Sequence, residues 1–197
     1  MSRDLENAKC QDILETARRL FWKHGIKRVS IQEICKEAKV SKMTFYRFFD
    51  NKLDLAKTLL DLIFNKGLAE YKSIMASKVS FSEKVRMTLL AKFRNSQDIS
   101  QEFIMDIYKN QELGLLTYIE EKGNAMMDMV LDDYEQAQKD GYVRADIKRE
   151  FMAYQLYKMR EMMLDEKLLA LYKNPQELTM ELTNFFFYGL LVHKEDE

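Results

Sequence analysis

The chain is short of the residues that turn a backbone. One proline and six glycines serve 197 residues, whereas a sheet protein needs a turn about every eight to twelve positions. That shortage excludes a β-sandwich or barrel, and long runs rich in Leu, Met, Lys, Glu and Ala point to helices. The expected fold class is all-α. Cysteine is scarce too: Cys10 and Cys35 form no disulfide framework and no metal or redox cluster. Only His24 and His193 supply imidazole. No HExxH, no Glu-x-x-His pair, no glycine-rich phosphate loop and no G-x-S-x-G occurs. These gaps argue against an enzyme and against a bound metal or cofactor. No apolar run reaches membrane-spanning length and no N-terminal apolar stretch leads to a cleavage site, so a soluble, cytoplasmic protein is expected.

Apolar residues make up 47% of the chain, enough for a sizeable core, and the formal net charge is only -1. The distribution of charge says more than its sum. Residues 1–60 hold 13 Lys/Arg against 8 Asp/Glu, and residues 61–197 hold 18 against 24. A head of net charge +5 on a body of -6 fits a domain that meets a polyanion and a body that does not.

Within the head, Ile13, Leu14, Ala17, Leu20 and Phe21 make one apolar stripe at helical spacing, with Arg18, Arg19 and Lys23 off it. The helix is expected to stop at His24–Gly25, with Gly25 left-handed and Ile26 folding back on Phe21 as a Schellman end requires. His24 reads as a last-turn residue facing the helix dipole. Ser30-Ile31-Gln32-Glu33 is a capping box that opens a second, two-turn helix, with Ile31, Ile34, Cys35 and Ala38 on its apolar face. Ser41 caps a third helix, which buries Phe45, Phe48 and Phe49 and leaves Lys42, Met43, Thr44, Tyr46 and Arg47 outside. Asn51 opens a long fourth helix, with Asp54 as its partner. Three short helices with a tight turn before the third make a helix-turn-helix layout, whose third helix enters a major groove. Hydroxyl groups there suit phosphates or base edges, and Met43 suits a thymine methyl. The helix starts at Ser30, Ser41 and Asn51 offer backbone N–H groups to phosphates.

Residues 13–59 resemble the N-terminal DNA-binding domain of the TetR family of transcriptional regulators. The resemblance is carried by Ile13-Leu14-Glu15-Thr16-Ala17-Arg18-Arg19-Leu20-Phe21, Gly25, Val29-Ser30-Ile31-Gln32-Glu33-Ile34, Ala38-Lys39-Val40-Ser41-Lys42-Met43-Thr44-Phe45-Tyr46-Arg47-Phe48-Phe49 and Asn51-Lys52-Leu53-Asp54-Leu55. It implies that Ser30, Thr44, Tyr46 and Lys52 contact phosphates and that Lys42, Met43 and Arg47 lie near the bases. Two positions depart from the family. Lys39 stands in the turn where the family has glycine, at a cost of about 1 kcal/mol if its backbone is left-handed. Met43 stands where a small residue is common, so no relative's operator preference transfers.

The expected division is 1–51 as the DNA-binding module and 52–197 as a helical body for effector binding and dimerisation. In the body, Ser80-Phe81-Ser82-Glu83 opens a fifth helix, a short helix surrounds Phe103–Tyr108, and a long one spans about Leu113 to Lys139. Asp146 is expected to cap the next, which runs on through Leu169. Asn174-Pro175-Gln176-Glu177 starts the last helix. Phe185, Phe186, Phe187 and Tyr188 cover too much of that helix for one chain's core, so burial against a second copy is expected. The resemblance implies the same: the last two helices of each subunit forming a four-helix dimer interface, with Asn174–Val192 as the last. It also implies a small-molecule site in the body. The Met- and aromatic-rich middle suits a largely apolar effector, with Met87, Phe103, Tyr108, Met126, Met127 and Tyr157 as candidate lining residues. The function expected is a sequence-specific, ligand-released repressor that binds a palindromic operator in double-stranded DNA as a homodimer. On physics alone, a helical adaptor that binds protein remains the alternative.

Overall fold

The computed structural model describes residues 4–95, 99–110 and 113–191, with the side chain of Arg160 set aside. His193 and Val192 lie outside the described residues. Among the described residues ten helices follow one another: α1 Ala8–His24, α2 Ile31–Glu37, α3 Lys42–Phe48, α4 Lys52–Ala76, α5 Phe81–Asn95, α6 Gln101–Tyr108, α7 Leu115–Lys139, α8 Arg149–Met162, α9 Glu166–Leu169 and α10 Pro175–Leu190. The fold is all-α. No strand occurs among the described residues, where one antiparallel bridge joins Val143 to Leu191.

The chain forms two compact units, one from Met1–Asn65 with Asp98–Ile119, the other from Lys66–Gln97 with Glu120–Glu197. This differs from a single cut at residue 51, and the reason is packing. In the first unit Phe103 and Ile107 of α6, and Leu115 at the start of α7, are buried in the same core as Ile13, Phe21, Phe45 and Leu55. The Trp22 and Phe103 rings lie 4.3 Å apart between centroids, and the Ser100 N–H donates to the Trp22 carbonyl at 2.9 Å. A contact across nearly eighty positions leaves no trace in local periodicity.

Caps set most helix starts. The Oγ of Ser30 accepts from the Glu33 N–H at 3.1 Å and that of Ser41 from the Thr44 N–H at 3.0 Å. Asn51 Oδ1 accepts from the Asp54 N–H at 2.9 Å, while the Asp54 carboxylate takes the Asp50 N–H at 3.0 Å. Each satisfies a donor that a helix start leaves orphaned.

Three local expectations need correction. Gly25 has positive φ, but its ψ of 162° is extended, not left-handed. A Cβ there would stand 2.6 Å from an Asp106 carboxylate oxygen and 3.3 Å from Glu102 Cβ. Gly25 therefore answers to the close approach of α6, in a backbone region open essentially to glycine alone, and not to a Schellman closure. Asp146 caps nothing. Lys148 occupies the N-cap of α8 without a side-chain bond, and Asp146 is held instead by Arg144 at 2.7 Å. The helix after it also ends sooner than expected, at Met162, so Leu169 lies on α9, which Asp165 caps through bonds from the Lys167 and Leu168 N–H groups.

The second unit has its own core, built from Phe81, Val85, Leu89, Leu131, Tyr134, Val143, Met152, Phe187 and Leu190. Within it α10 packs against α5, α8 and α9. Tyr71 donates to an Asp133 oxygen at 2.8 Å, and burial followed by this bond pushes its hydroxyl far above the ordinary range. Arg149 joins α8 to α7 through Asp132 at 2.7 Å and Glu135 at 3.2 Å. Asn174 caps α10 at 2.9 Å with Pro175 in its first turn.

Candidate nucleic-acid interface

The helix-turn-helix of the first unit is built from the inside out. Phe45 is fully buried, with its ring centroid 5.7 Å from Phe49 and 5.4 Å from Tyr46. Phe48 and Phe49 are buried beside it. With a helical period of 3.6, burying positions 45, 48 and 49 turns 43, 46 and 47 outward, while Lys42 stands at the first helical position on the flank of the buried side. Lys42, Met43, Tyr46 and Arg47 are all exposed, Met43 at 85% of its surface and Tyr46 at 54%.

Ser41 and Thr44 sit at the base of this face. Their hydroxyls lie 2.9 Å apart, and Ser41 Oγ also holds the Thr44 N–H. Ser30 is exposed at the start of α2. Arg47 lies over the Phe48 ring at 5.7 Å, which steadies the guanidinium without burying it. Arg19 forms an ion pair with Glu37, taking up the carboxylate of the last turn of α2.

Lys52 is placed differently from the others. Its Nζ donates to the carbonyls of Lys27 at 2.9 Å and Val29 at 2.7 Å. Burial pulls its ammonium below the ordinary lysine range, and nearby Asp106 pushes the other way. The bonds fasten the start of α4 to the α1–α2 loop and use two of the three donors of the ammonium. The sequence carried no sign of this tether, because the partners are backbone carbonyls more than twenty positions away. Asp106 was missed for the same reason; it accepts the Lys27 N–H at 2.7 Å and so fixes the loop before Ser30.

The candidate effector residues are divided between the two units. Phe103 is buried and Tyr108 packs on the core of the first unit. Met87, Met126 and Met127 are half-buried in the second unit, and Tyr157 is exposed beneath the Lys158 ammonium at 5.8 Å. The first unit has an open cleft of about 620 Å³ between the end of α1 and α6, lined by Lys23, His24, Lys27, Arg28, Glu102 and Asp106 among others. Its lining is largely charged, and the six candidates are not among the residues that form it. No group of three or more His, Cys, Asp or Glu side chains suited to a metal occurs among the described residues, and no helix there is long and apolar enough to cross a membrane.

An exposed recognition-type helix braced by three phenylalanines defines the class of helix-turn-helix proteins. Residues 13–59 match the family described as bacterial regulatory proteins, tetR family, so that segment of the chain is similar to the DNA-binding domain of TetR-type regulators. Among relatives, the chain is 33% identical over 109 residues to YuxN, an uncharacterized HTH-type transcriptional regulator of Bacillus subtilis (strain 168), covering 55% of this chain and 36% of that one. It is 29% identical over 127 residues to YhgD of the same organism, also an uncharacterized HTH-type transcriptional regulator, covering 56% of this chain and 64% of that one. The match thus spans about a third of the first relative and just under two thirds of the second. Its fold is shared with the fatty acid degradation regulator FadR from Bacillus halodurans, at a TM-score of 0.70 and 18% identity over 92% of this chain and 96% of that one. It is shared also with the ketosteroid transcriptional regulator KstR2 of Mycobacterium tuberculosis, at 0.62 and 18% over 93% and 95%.

Proposed function

We propose that the chain is a sequence-specific DNA-binding repressor that acts as a homodimer on a palindromic operator and is released by a small, largely apolar molecule. One observation carries the DNA-binding part: α3 turns Lys42, Met43, Tyr46 and Arg47 to solvent on a scaffold of buried phenylalanines. Residues 1–51 are the reading module. Lys42, Met43 and Arg47 face the bases, and Ser30, Ser41, Thr44, Tyr46 and Lys52 face phosphates. Base-facing cations and an apolar side chain select sequence, whereas phosphate contacts set register and general affinity.

Residues 52–197 are proposed to pair two copies and to hold the effector. Phe151, Tyr154, Tyr157 and Met162 of α8 and Phe185 and Tyr188 of α10 are all exposed, Phe185 at 84%. Large apolar side chains on these two helices favour burial against a second copy. Two heads related by a two-fold axis match half-sites about 34–36 Å apart. α4 contributes residues up to Asn65 to the first unit and from Lys66 to the second, so one continuous helix belongs to both. An effector that prefers one arrangement of that helix shifts the population away from the DNA-competent state, and needs only unequal affinity for the two. The two fold neighbours concern fatty acid degradation and ketosteroids; at their identity they supply the fold and do not name this chain's effector.

Selection of bound duplexes from a random pool, followed by gel shift against salt, tests the reading. The expected result is a palindromic consensus and a dimer-sized, salt-sensitive complex. A chain that enriches no sequence overturns it.

A further inference from the structure

Among the described residues, Lys39 is the one residue other than glycine with positive φ, at 54°. It lies in the turn between α2 and α3, two positions before Ser41. The left-handed conformation brings an L side chain against its own carbonyl, so a residue there destabilises the turn relative to glycine. The backbone gives a local reason for the geometry: the N–H groups of Lys39 and Val40 return to the Lys36 and Cys35 carbonyls at 3.3 and 3.0 Å. It gives no reason for a lysine.

The side chain is exposed, and its ammonium has no hydrogen-bond or ion-pair partner among the described residues. The same holds for Lys36 and Lys42 on either side. Between residues 36 and 47 the chain has four cations, Lys36, Lys39, Lys42 and Arg47, and one acid, Glu37. That acid faces Arg19 on α1. The turn therefore presents uncompensated positive charge next to the exposed face of α3, at a position where lysine strains the backbone.

We propose that Lys39 is a phosphate-contacting residue that adds sequence-independent affinity and keeps its strained place for that reason. The inference rests on the head being a DNA-binding module. The full chain, Lys39→Gly, Lys39→Asn and Lys39→Arg are compared on a duplex selected by the native chain and on a scrambled duplex of the same composition, from about 50 to 200 mM salt. Lys39→Gly and Lys39→Asn, whose residues both tolerate the left-handed turn, are expected to weaken binding to both duplexes. Their salt slopes are shallower by about one unit per head, so the deficit shrinks about threefold per head across that range. Lys39→Arg restores the native slope. Lys39→Gly also melts about 2–4 °C higher than the native chain. A merely structural residue would not lose affinity as the protein gains stability. Native slope and affinity in both uncharged variants overturn this inference alone. A native chain that binds neither duplex overturns it together with the DNA-binding reading.

Discussion

The two units treat their aromatic residues in opposite ways. The first keeps Phe21, Trp22, Phe45, Phe48, Phe49 and Phe103 buried and exposes more cations than acids, with Met43, Tyr46 and Leu62 as its exposed large apolar side chains. The second leaves Phe93, Tyr142, Phe151, Tyr154, Tyr157, Phe185 and Tyr188 at least 40% exposed. Both units close a core of their own, but only the second leaves several large aromatic side chains in water, where burial would gain most.

The contrast is tested most strongly at Phe45. Phe45→Ala removes a fully buried ring from the first core and is expected to cost about 3–5 kcal/mol, read by chemical denaturation. A cost under about 1 kcal/mol would mean that the head's core is not closed.

Next comes the open face of α10. Phe185→Ser with Tyr188→Ser should convert a dimer to a monomer in sedimentation, with about 2 kcal/mol or more lost from association per buried anchor and little change in helix content. A double variant that stays dimeric would place the interface elsewhere.

On the head, Arg47→Ala and Met43→Ala should change preference among duplexes by about 1–3 kcal/mol. Tyr46→Phe should weaken all sequences alike. Selection repeated with both Arg47 and Met43 replaced reads this directly, and an unchanged consensus would remove their reading role.

Caps are expected to act locally and alike in both units. Ser41→Ala and Asn174→Ala should each cost about 1 kcal/mol, seen as a lower melting temperature.

The smallest effect is acidic. The Glu70 carboxyl is held below its usual range, first by the hydrogen bond from Asn95 and then by Arg94. A depressed carboxyl contributes stability above its unfolded value and loses it as pH falls through its lower folded value. Glu70→Gln should therefore flatten part of the acid limb of a stability-against-pH curve, and an unchanged limb would show that the contact between α4 and α5 does not matter for folding.

Short-range features were legible in the sequence because their physics is short-range. The caps Ser30, Ser41, Asn51 and Asn174 each bond a backbone group three positions on. The burial of Phe45, Phe48 and Phe49 follows from helical period. Asp146 misled because an acidic residue before a helix looks like a cap, and only the folded chain shows that Arg144 claims it. Gly25 misled because a helix-ending glycine looks the same whether the turn closes on itself or yields to an incoming helix.

Helical character, the starts at Ser30, Ser41, Asn51, Ser80 and Asn174, and the burial of Phe45 and Phe48 could be read from residue order alone, because caps and periodicity depend on neighbours within about four positions. Folding alone brings α6 into the core of the head, ties Lys52 of α4 to the loop before Ser30, and sets Lys39 in a left-handed turn with its charge unanswered. Those outcomes depend on groups that the chain brings together from far apart, and no local pattern of residues encodes such meetings.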